Sequence, residues 1–366
     1  MAGPEIIWDQ GTVYDLFISL EVLHRPAEFN IRAVWAAGVR ARIPAEHRKV
    51  LEQSLLMFHV PFSCLSKLPQ PHDANSLLWF LEQTPARERL PLLALEPFWP
   101  AKYGRLLRNV SKQGGWEEEE REALGGVIKE AYKHEAGKHI PSHQELGTIL
   151  DWWKRPEEFG ERYLEALRAY QEVFFSQEER RLRPALQSAV NHAKERSKKL
   201  ALVDLLEELT QGVRFEELHS AGQVTLAPSY WSTPLVYFIE LDALHSIYIY
   251  GARPLDVSLA PGEQVPDSLY GVLEALSDPT RLKILRYLGE QPQTPTQLAN
   301  RLGLRAPTVT HHLKVLRLAG LVRLVLGEEA VTKHYEARPE GVEAAYAALN
   351  RFLGMAGGEE PSLRSG

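Results

Sequence analysis

Thr308, Thr310, His311 and Lys314 are the residues of this 366-residue chain whose types and spacing most clearly suggest chemistry. On a helix, Thr310, His311 and Lys314 share one face, with Arg305, Ala306 and Thr308 at its N-terminal end and Arg317 farther along. Val309, Leu313 and Leu316 recur at i, i+4 and i+7 on the other side, beside His312. One face is aliphatic; the other is polar, short-chained and basic at its margin. Small hydroxyl groups let a helix approach base edges in a major groove, and flanking cations neutralise phosphate. First-turn amides also suit a backbone phosphate. A helix that merely faces water is the ordinary alternative, so the neighbouring elements must decide.

Those neighbours are legible. Thr294-Pro295-Thr296-Gln297 opens a helix: Thr294 caps, Pro295 takes the first helical position and Gln297 completes a capping box. Leu298 and Leu302 are its core residues, and Gly303 suits the left-handed residue that ends it. Leu304-Arg305 turns the chain, and Pro307 starts the polar-faced helix, which runs to about Ala319 with Gly320 as its stop. Two short helices around a glycine-containing turn match a helix-turn-helix. Upstream, Leu269, Val272, Leu273 and Leu276 form one apolar stripe, and Leu282, Ile284, Leu285 and Leu288 form the next. Between them Asp278 is a good N-cap and Pro279 a good first helical residue. Downstream, 321–326 and 331–336 read as two strands around the turn 327–330, a hairpin in the position of a wing.

At this point the sequence resembles a known family. The block Ala275-Leu276-Ser277-Asp278-Pro279-Thr280-Arg281-Leu282-Lys283-Ile284-Leu285 is similar to the opening helices of ArsR-type regulators. Pro307-Thr308-Val309-Thr310-His311-His312-Leu313-Lys314-Val315-Leu316, followed by Ala319-Gly320-Leu321-Val322, resembles their recognition helix and first wing strand. The resemblance covers residues 268–354 and implies a winged helix that binds double-stranded DNA. It also implies a homodimer through the first and last helices, which here offer Leu269, Val272, Leu273, Val342, Tyr346, Leu349 and Phe352. Two-fold symmetry then sets the recognition helices one DNA turn apart on a palindromic site.

The chain departs from the family in two places. Many ArsR-type proteins sense metals through cysteines on the third helix or His/Asp pairs on the last. Here the third helix offers Thr294, Thr296 and Gln297, and the last offers Glu340 and Glu343 without a histidine, so no metal site and no cofactor is expected. The wing tip carries Glu328-Glu329, which repels phosphate. Either the wing stands clear of the duplex, with Arg323 and Lys333 lower on the strands making the contacts, or affinity is modest. Ala306 also gives up a base-edge hydrogen bond that a longer polar residue could make.

The elements that carry this module are mostly helical. Residues 12–220 show helical spacing at Val13, Leu16, Phe17, Leu20 and Leu23, and again at Leu164, Leu167, Tyr170, Val173 and Phe174. Three β-rich runs, 223–228, 235–241 and 245–250, suggest a small antiparallel sheet closing the first domain. The expected fold is therefore mostly α with small β elements. Its parts are a helical sensor or dimerisation domain over 1–252, a linker over 253–267, a winged helix over 268–354 and a flexible tail over 355–366. Net charge is −6 overall, yet residues 269–354 carry eleven Lys or Arg against eight Asp or Glu. A mildly basic module on an acidic body suits a DNA-reading domain. The single cysteine, Cys64, excludes an intramolecular disulfide. The absence of a signal-peptide pattern or an apolar run of membrane length leads us to expect a cytoplasmic protein with no membrane partner.

Other signals are weaker. His134 and His139 lie at i, i+5 rather than the i, i+4 of a zinc-protease helix. The acidic run 117–122 fits a helix N-terminus, and the mixed run 178–183 reads as a solvated, ion-paired face, with DNA contact the alternative. Tyr230, Trp231, Tyr237 and Tyr248 either pack a core or line an apolar ligand pocket for a small-molecule effector. Ser229 lacks the glycine elbow of a hydrolase. The reading is a homodimeric transcriptional repressor and not an enzyme. An enzyme domain fused to a regulatory winged helix, or a winged helix used for protein contact, are the alternatives.

Overall fold

The computed structural model describes residues 4–29, 31, 33–133, 139–210, 212–215, 222–233, 235–253, 257–259, 265–326 and 333–354. The expected wing tip, the His134 end of the zinc-like motif, the tail and most of the expected linker lie outside the described residues. Among those described, the strands are β1 (Glu5–Trp8), β2 (Val213–Phe215), β3 (Gln223–Ser229), β4 (Tyr237–Asp242), β5 (His245–Gly251), β6 (Val322–Leu326) and β7 (Lys333–Ala337). The helices begin with α1 (Val13–His24), α2 (Ala33–Arg40), α3 (Ala45–Ser54), α4 (Phe62–Leu65), α5 (Ala74–Gln83) and α6 (Ala86–Ala94). They continue with α7 (Ala101–Gln113), α8 (Glu118–Ala131), α9 (His143–Lys154), α10 (Pro156–Tyr170), α11 (Ser176–Ser197) and α12 (Leu202–Leu209). The last five are α13 (Asp267–Leu276), α14 (Pro279–Glu290), α15 (Pro295–Leu302), α16 (Ala306–Leu318) and α17 (Pro339–Phe352). The chain is mostly α with small β elements. It divides into two compact units, 1–210 with 215–253, and 211–214 with 254–366. No described helix is long and apolar enough to cross a membrane.

In the first unit, α1 is buried along nearly its whole length and forms the central rod. Helices α3, α6 and α10 pack closely, and Gly160 sits where a Cβ would fall 2.0 Å from the carbonyl oxygen of Ala86, so only glycine permits that crossing. The acidic run at 117–122 is the start of α8, where Glu117 and Glu120 form a reciprocal capping box. The mixed run at 178–183 corrects its expectation: Glu178 and Glu179 are buried. Arg181 approaches Glu178 at 2.6 Å, and Thr12 donates to Glu179. Helix α10 passes into α11 through a π-helical turn at Gln171–Phe175, which the helical spacing did not reveal.

The sheet of this unit is mixed, not antiparallel throughout as expected. Its order is β1-β3-β5-β4, with β1 parallel to β3, β3 parallel to β5, and β4 antiparallel to β5. The β4–β5 hairpin obeys sequence adjacency. The crossing from β3 skips over β4, and the edge is closed by the chain's own N-terminal segment.

The second unit has a core shared by α13, α14, α15 and α16, with the paired strands β6 and β7 against it. Ile284, Leu288, Leu298, Val309, Leu313, Leu316 and Leu321 are buried together. Each contributes about 1.5–3 kcal/mol by leaving water. The sheet order is β2-β6-β7, where Leu324 N–H donates to Gly212 O at 2.9 Å and β6 runs antiparallel to β7. Gln293 bridges β7 by exchanging backbone bonds with Tyr335 at 3.0 and 2.9 Å.

Candidate nucleic-acid interface

Helix α16 is placed by the caps of the helices before it. Thr294 Oγ1 accepts from Gln297 N–H at 3.3 Å, and Gln297 Oε1 accepts from Thr294 N–H at 2.8 Å, which fixes the start of α15. Gly303, at φ 66°, ends α15 in the left-handed region, and Leu304 N–H closes onto Ala299 O at 3.0 Å. Asp278 caps α14 by accepting from Thr280 and Arg281 amides at 2.7 and 3.0 Å, bonds that hold its carboxyl below the usual range. Arg281 then donates to Ala275 O at 2.8 Å and Glu274 O at 2.7 Å, tying the end of α13 to α14. The cap is legible in the sequence but this clamp is not, because an arginine's reach onto a preceding helix end has no periodic signature.

On α16, Val309, Leu313 and Leu316 are fully buried. Arg305, Pro307, Thr308, His311 and Lys314 are exposed, and Pro307, His311 and Lys314 fall at i, i+4 and i+7. Ala306 and Thr310 are half-buried, and the Thr310 hydroxyl donates to Ala306 O at 3.0 Å, which leaves its oxygen as an acceptor. His312 faces inward. Burial holds its imidazole below the ordinary value, with the Asp278 carboxylate pulling the other way.

The outlying cations behave differently. Arg317 is half-buried next to Tyr335, and burial lowers its guanidinium pKa. Arg323 on β6 reaches Glu340 at 3.0 Å and Glu336 at 3.8 Å. Lys333 is half-buried at the start of β7, in register with Leu326. Arg305, Thr308, His311 and Lys314 are therefore exposed, whereas Arg317, Arg323 and Lys333 are half-buried.

A second surface lies on α13 and α17, which pack together. Tyr270, Leu273, Val342, Tyr346 and Phe352 are all exposed, Tyr346 to 67%. Leu349 is half-buried, and Leu269 and Val272 are buried within the unit, so those two are not at its surface.

The four aromatic residues named as possible ligand lining do not share ring partners. Trp231 stacks on Trp35 with centroids 5.9 Å apart, and Tyr248 stacks on Phe238 at 6.0 Å. Tyr230 lies under the Arg181 guanidinium at 4.9 Å, and the Tyr237 hydroxyl donates to Glu21 at 3.3 Å. Among the described residues, no group of three or more His, Cys, Asp or Glu side chains is arranged to hold a metal.

Comparison with known proteins places relatives at this same region. The helix-turn-helix domain family matches residues 276–325. The chain is similar to the HTH-type transcriptional regulator Rv2034 of Mycobacterium tuberculosis, 39% identical over 80 residues, 22% of this chain and 72% of that protein. It is also similar to the uncharacterized HTH-type transcriptional regulator MJ0229 of Methanocaldococcus jannaschii, 43% identical over 67 residues, 18% of this chain and 70% of the relative. The HTH-type transcriptional regulator NmtR of Mycobacterium tuberculosis is 41% identical over 71 residues, 19% of this chain and 54% of the relative. No solved structure matches the chain.

Proposed function

The chain belongs to the helix-turn-helix transcriptional regulators, and from that premise we propose that it is an ArsR-type homodimeric repressor reading a palindromic operator. The observation that carries the proposal is the division of α16. Its aliphatic side is sealed into the core, while Thr308, His311 and Lys314 stay exposed beside Arg305. A helix held this way can enter a major groove without losing its own packing. Arg305 and Lys314 address phosphates, and Thr308 and His311 address base edges. Ala306 and Thr310 lie close to the duplex without adding a charge. Arg317, Arg323 and Lys333 shape the edges of the surface.

The exposed aromatic and aliphatic stripe of α13 and α17 is assigned to a second copy. Leu273, Val342, Tyr346, Leu349 and Phe352 supply the contact, and Leu269 and Val272 support it from beneath. An isologous interface there pairs two recognition helices. The N-terminal unit is assigned the role of a non-metal effector or partner module, which shifts the population of DNA-competent dimers.

The test is selection of bound fragments from the host genome, followed by a gel-shift titration over a range of salt. A palindromic consensus and an affinity that falls steeply with salt are the expected results. His311→Ala changes base preference at one position in each half-site. Fragments without two-fold symmetry, or binding indifferent to salt, would overturn the reading.

A further inference from the structure

The first unit is acidic, and one of its helices is not. Residues 1–268 carry 30 Lys or Arg against 38 Asp or Glu. Helix α7 carries Lys102, Arg105, Arg108 and Lys112 and no acid. Tyr103, Leu107 and Val110 form its buried side. At about 3.6 residues per turn the four cations fall on the opposite side. All four are exposed. From Lys102 to Lys112 the row is about 15 Å long.

These cations lack the partners that others in the unit find. Arg121 meets Glu118, Arg155 and Arg162 share Glu158, and Arg196 meets Glu208. None of the four on α7 makes an ion pair among the described residues. Helices α8 and α9 pack on α7, and most of their acids are engaged with other groups. Glu118 meets Arg121 and His143, and Glu130 meets Lys133. Glu120 accepts from the Glu117 amide, Glu145 from the Ser142 amide and Asp151 from the Trp116 indole. Like charges three and four residues apart on a helix repel. A polyanion laid along the row offsets that repulsion.

The remaining chemistry of the face selects among polyanions. Its other exposed residues are Ala101, Asn109 and Gln113. It offers no aromatic ring on which an unpaired base could stack. It offers no exposed apolar side chain larger than alanine to enter a lipid surface. Long cations and short amides suit phosphate oxygens. About 15 Å of duplex presents about nine phosphate charges. A duplex held by α16 is also present at high effective concentration for any second contact on the same chain.

We propose that α7 is a second, sequence-independent DNA contact, through which the first unit holds phosphates of the duplex flanking the operator. This rests on the reading of α16 as the operator-reading helix. Helix α16 chooses the site, and α7 adds affinity that grows with the length of duplex and falls with salt.

The test uses the full-length protein in gel-shift titrations on two duplexes. One is the palindrome recovered by genomic selection; the other is that palindrome extended by about two helical turns of arbitrary sequence on each side. The parent should bind the extended duplex about tenfold more tightly. Arg105→Gln with Arg108→Gln should remove most of that gain, lower the salt slope on the extended duplex by about 2, and leave the short duplex within about twofold. Arg105→Lys with Arg108→Lys keeps the charges and should keep the gain. Lys102→Gln with Lys112→Gln should act in the same direction as the arginine pair, which keeps the proposal testable if that pair does not fold. An extended duplex bound no better than the short one, or glutamine variants that keep the gain, overturn the contact. Glutamine variants that weaken both duplexes equally also overturn it, since the loss then lies within the operator. Variants that keep the gain but lose binding to phosphatidylserine vesicles assign the row to a lipid surface instead. The short duplex separates the two readings. If the parent binds it and the extension adds nothing, the α7 contact alone is rejected; if the parent does not bind it, the operator reading of α16 fails and the α7 contact with it.

Discussion

In the second unit the buried residues are almost all aliphatic, from Ile284 and Leu288 to Leu313 and Leu316, and Gln293 is the one buried polar residue there among those described. In the first unit Asp9, Asp15, Glu21, Glu96, Glu178 and Glu179 are all buried. The second unit keeps a dry interior and places its chemistry outside, on one face of α16. The first unit places carboxylates inside and uses them to fix loops and helix ends. An aliphatic core specifies a shape and leaves the surface open to vary. A hydrogen-bonded interior specifies the position of each donor. The two designs should respond to mutation in different ways.

The largest effect is expected from emptying the aliphatic core. Leu313→Ala removes a fully buried side chain from beneath the recognition helix and should destabilise the second unit by about 2–5 kcal/mol, read as a shift in its urea unfolding transition. Asp15→Ala in the first unit should cost less, about 1–3 kcal/mol. It leaves the Trp231 and Tyr230 amides without their acceptor, while the Ser229 hydroxyl can rotate to another. If Asp15→Ala proves the more costly of the two, the interior network carries more of the fold than this comparison allows.

The same contrast explains what was legible in the sequence. The second unit is built from contacts between neighbours in the chain. Thr294 with Gln297, Gly303, Pro307 and the 309/313/316 stripe each state their role within a few residues, and α15 and α16 follow from them. The side that α16 exposes could be read in the same way. The first unit depends on partners far apart. Asp15 meets Ser229 across 214 positions and Thr12 meets Glu179 across 167, and no local pattern announces either pair. The parallel pairing of β1 with β3 was invisible for the same reason, since Glu5–Trp8 offers four residues and no turn signal. The fate of Arg323 was also hidden. Its carboxylate partners lie 13 and 17 residues on, across a hairpin and at the start of a helix.

A surface comparison sharpens the first one. Lys314 lies on the exposed stripe of α16, and Arg323 is bound to Glu336 and Glu340. Lys314→Glu should weaken DNA binding by about tenfold and reduce the salt slope by about 1. Arg323→Gln should change the slope little. Equal effects from the two variants would show that the hairpin strands reach the duplex as closely as the helix does.

The smallest effect carries the contrast to its finest point, in the sign of a pH dependence. Burial raises the Asp15 carboxyl from 3.8 to about 6, and Glu178 adds to the rise, while the bonds from Ser229, Trp231 and Tyr230 oppose it. The folded first unit therefore binds a proton that the unfolded chain releases, over the window from about 4 to about 6. The stability this group contributes is fully present below that window and is lost as pH rises through it. Asp278, on the surface of the second unit, is shifted the other way by the amides of Arg281 and Thr280. Its contribution is present above the ordinary aspartate range and is lost as pH falls through the depressed value. Asp15→Asn preserves an oxygen for Ser229 and Trp231, and Asp278→Asn preserves a good N-cap, so both variants should fold. Unfolding free energies measured from pH 3 to pH 7 should give a parent-minus-variant difference that falls with pH for Asp15 and rises with pH for Asp278. Differences of the same sign at both positions would mean that interior and surface carboxylates are stabilised alike, and the division between the two units would not extend to their titration.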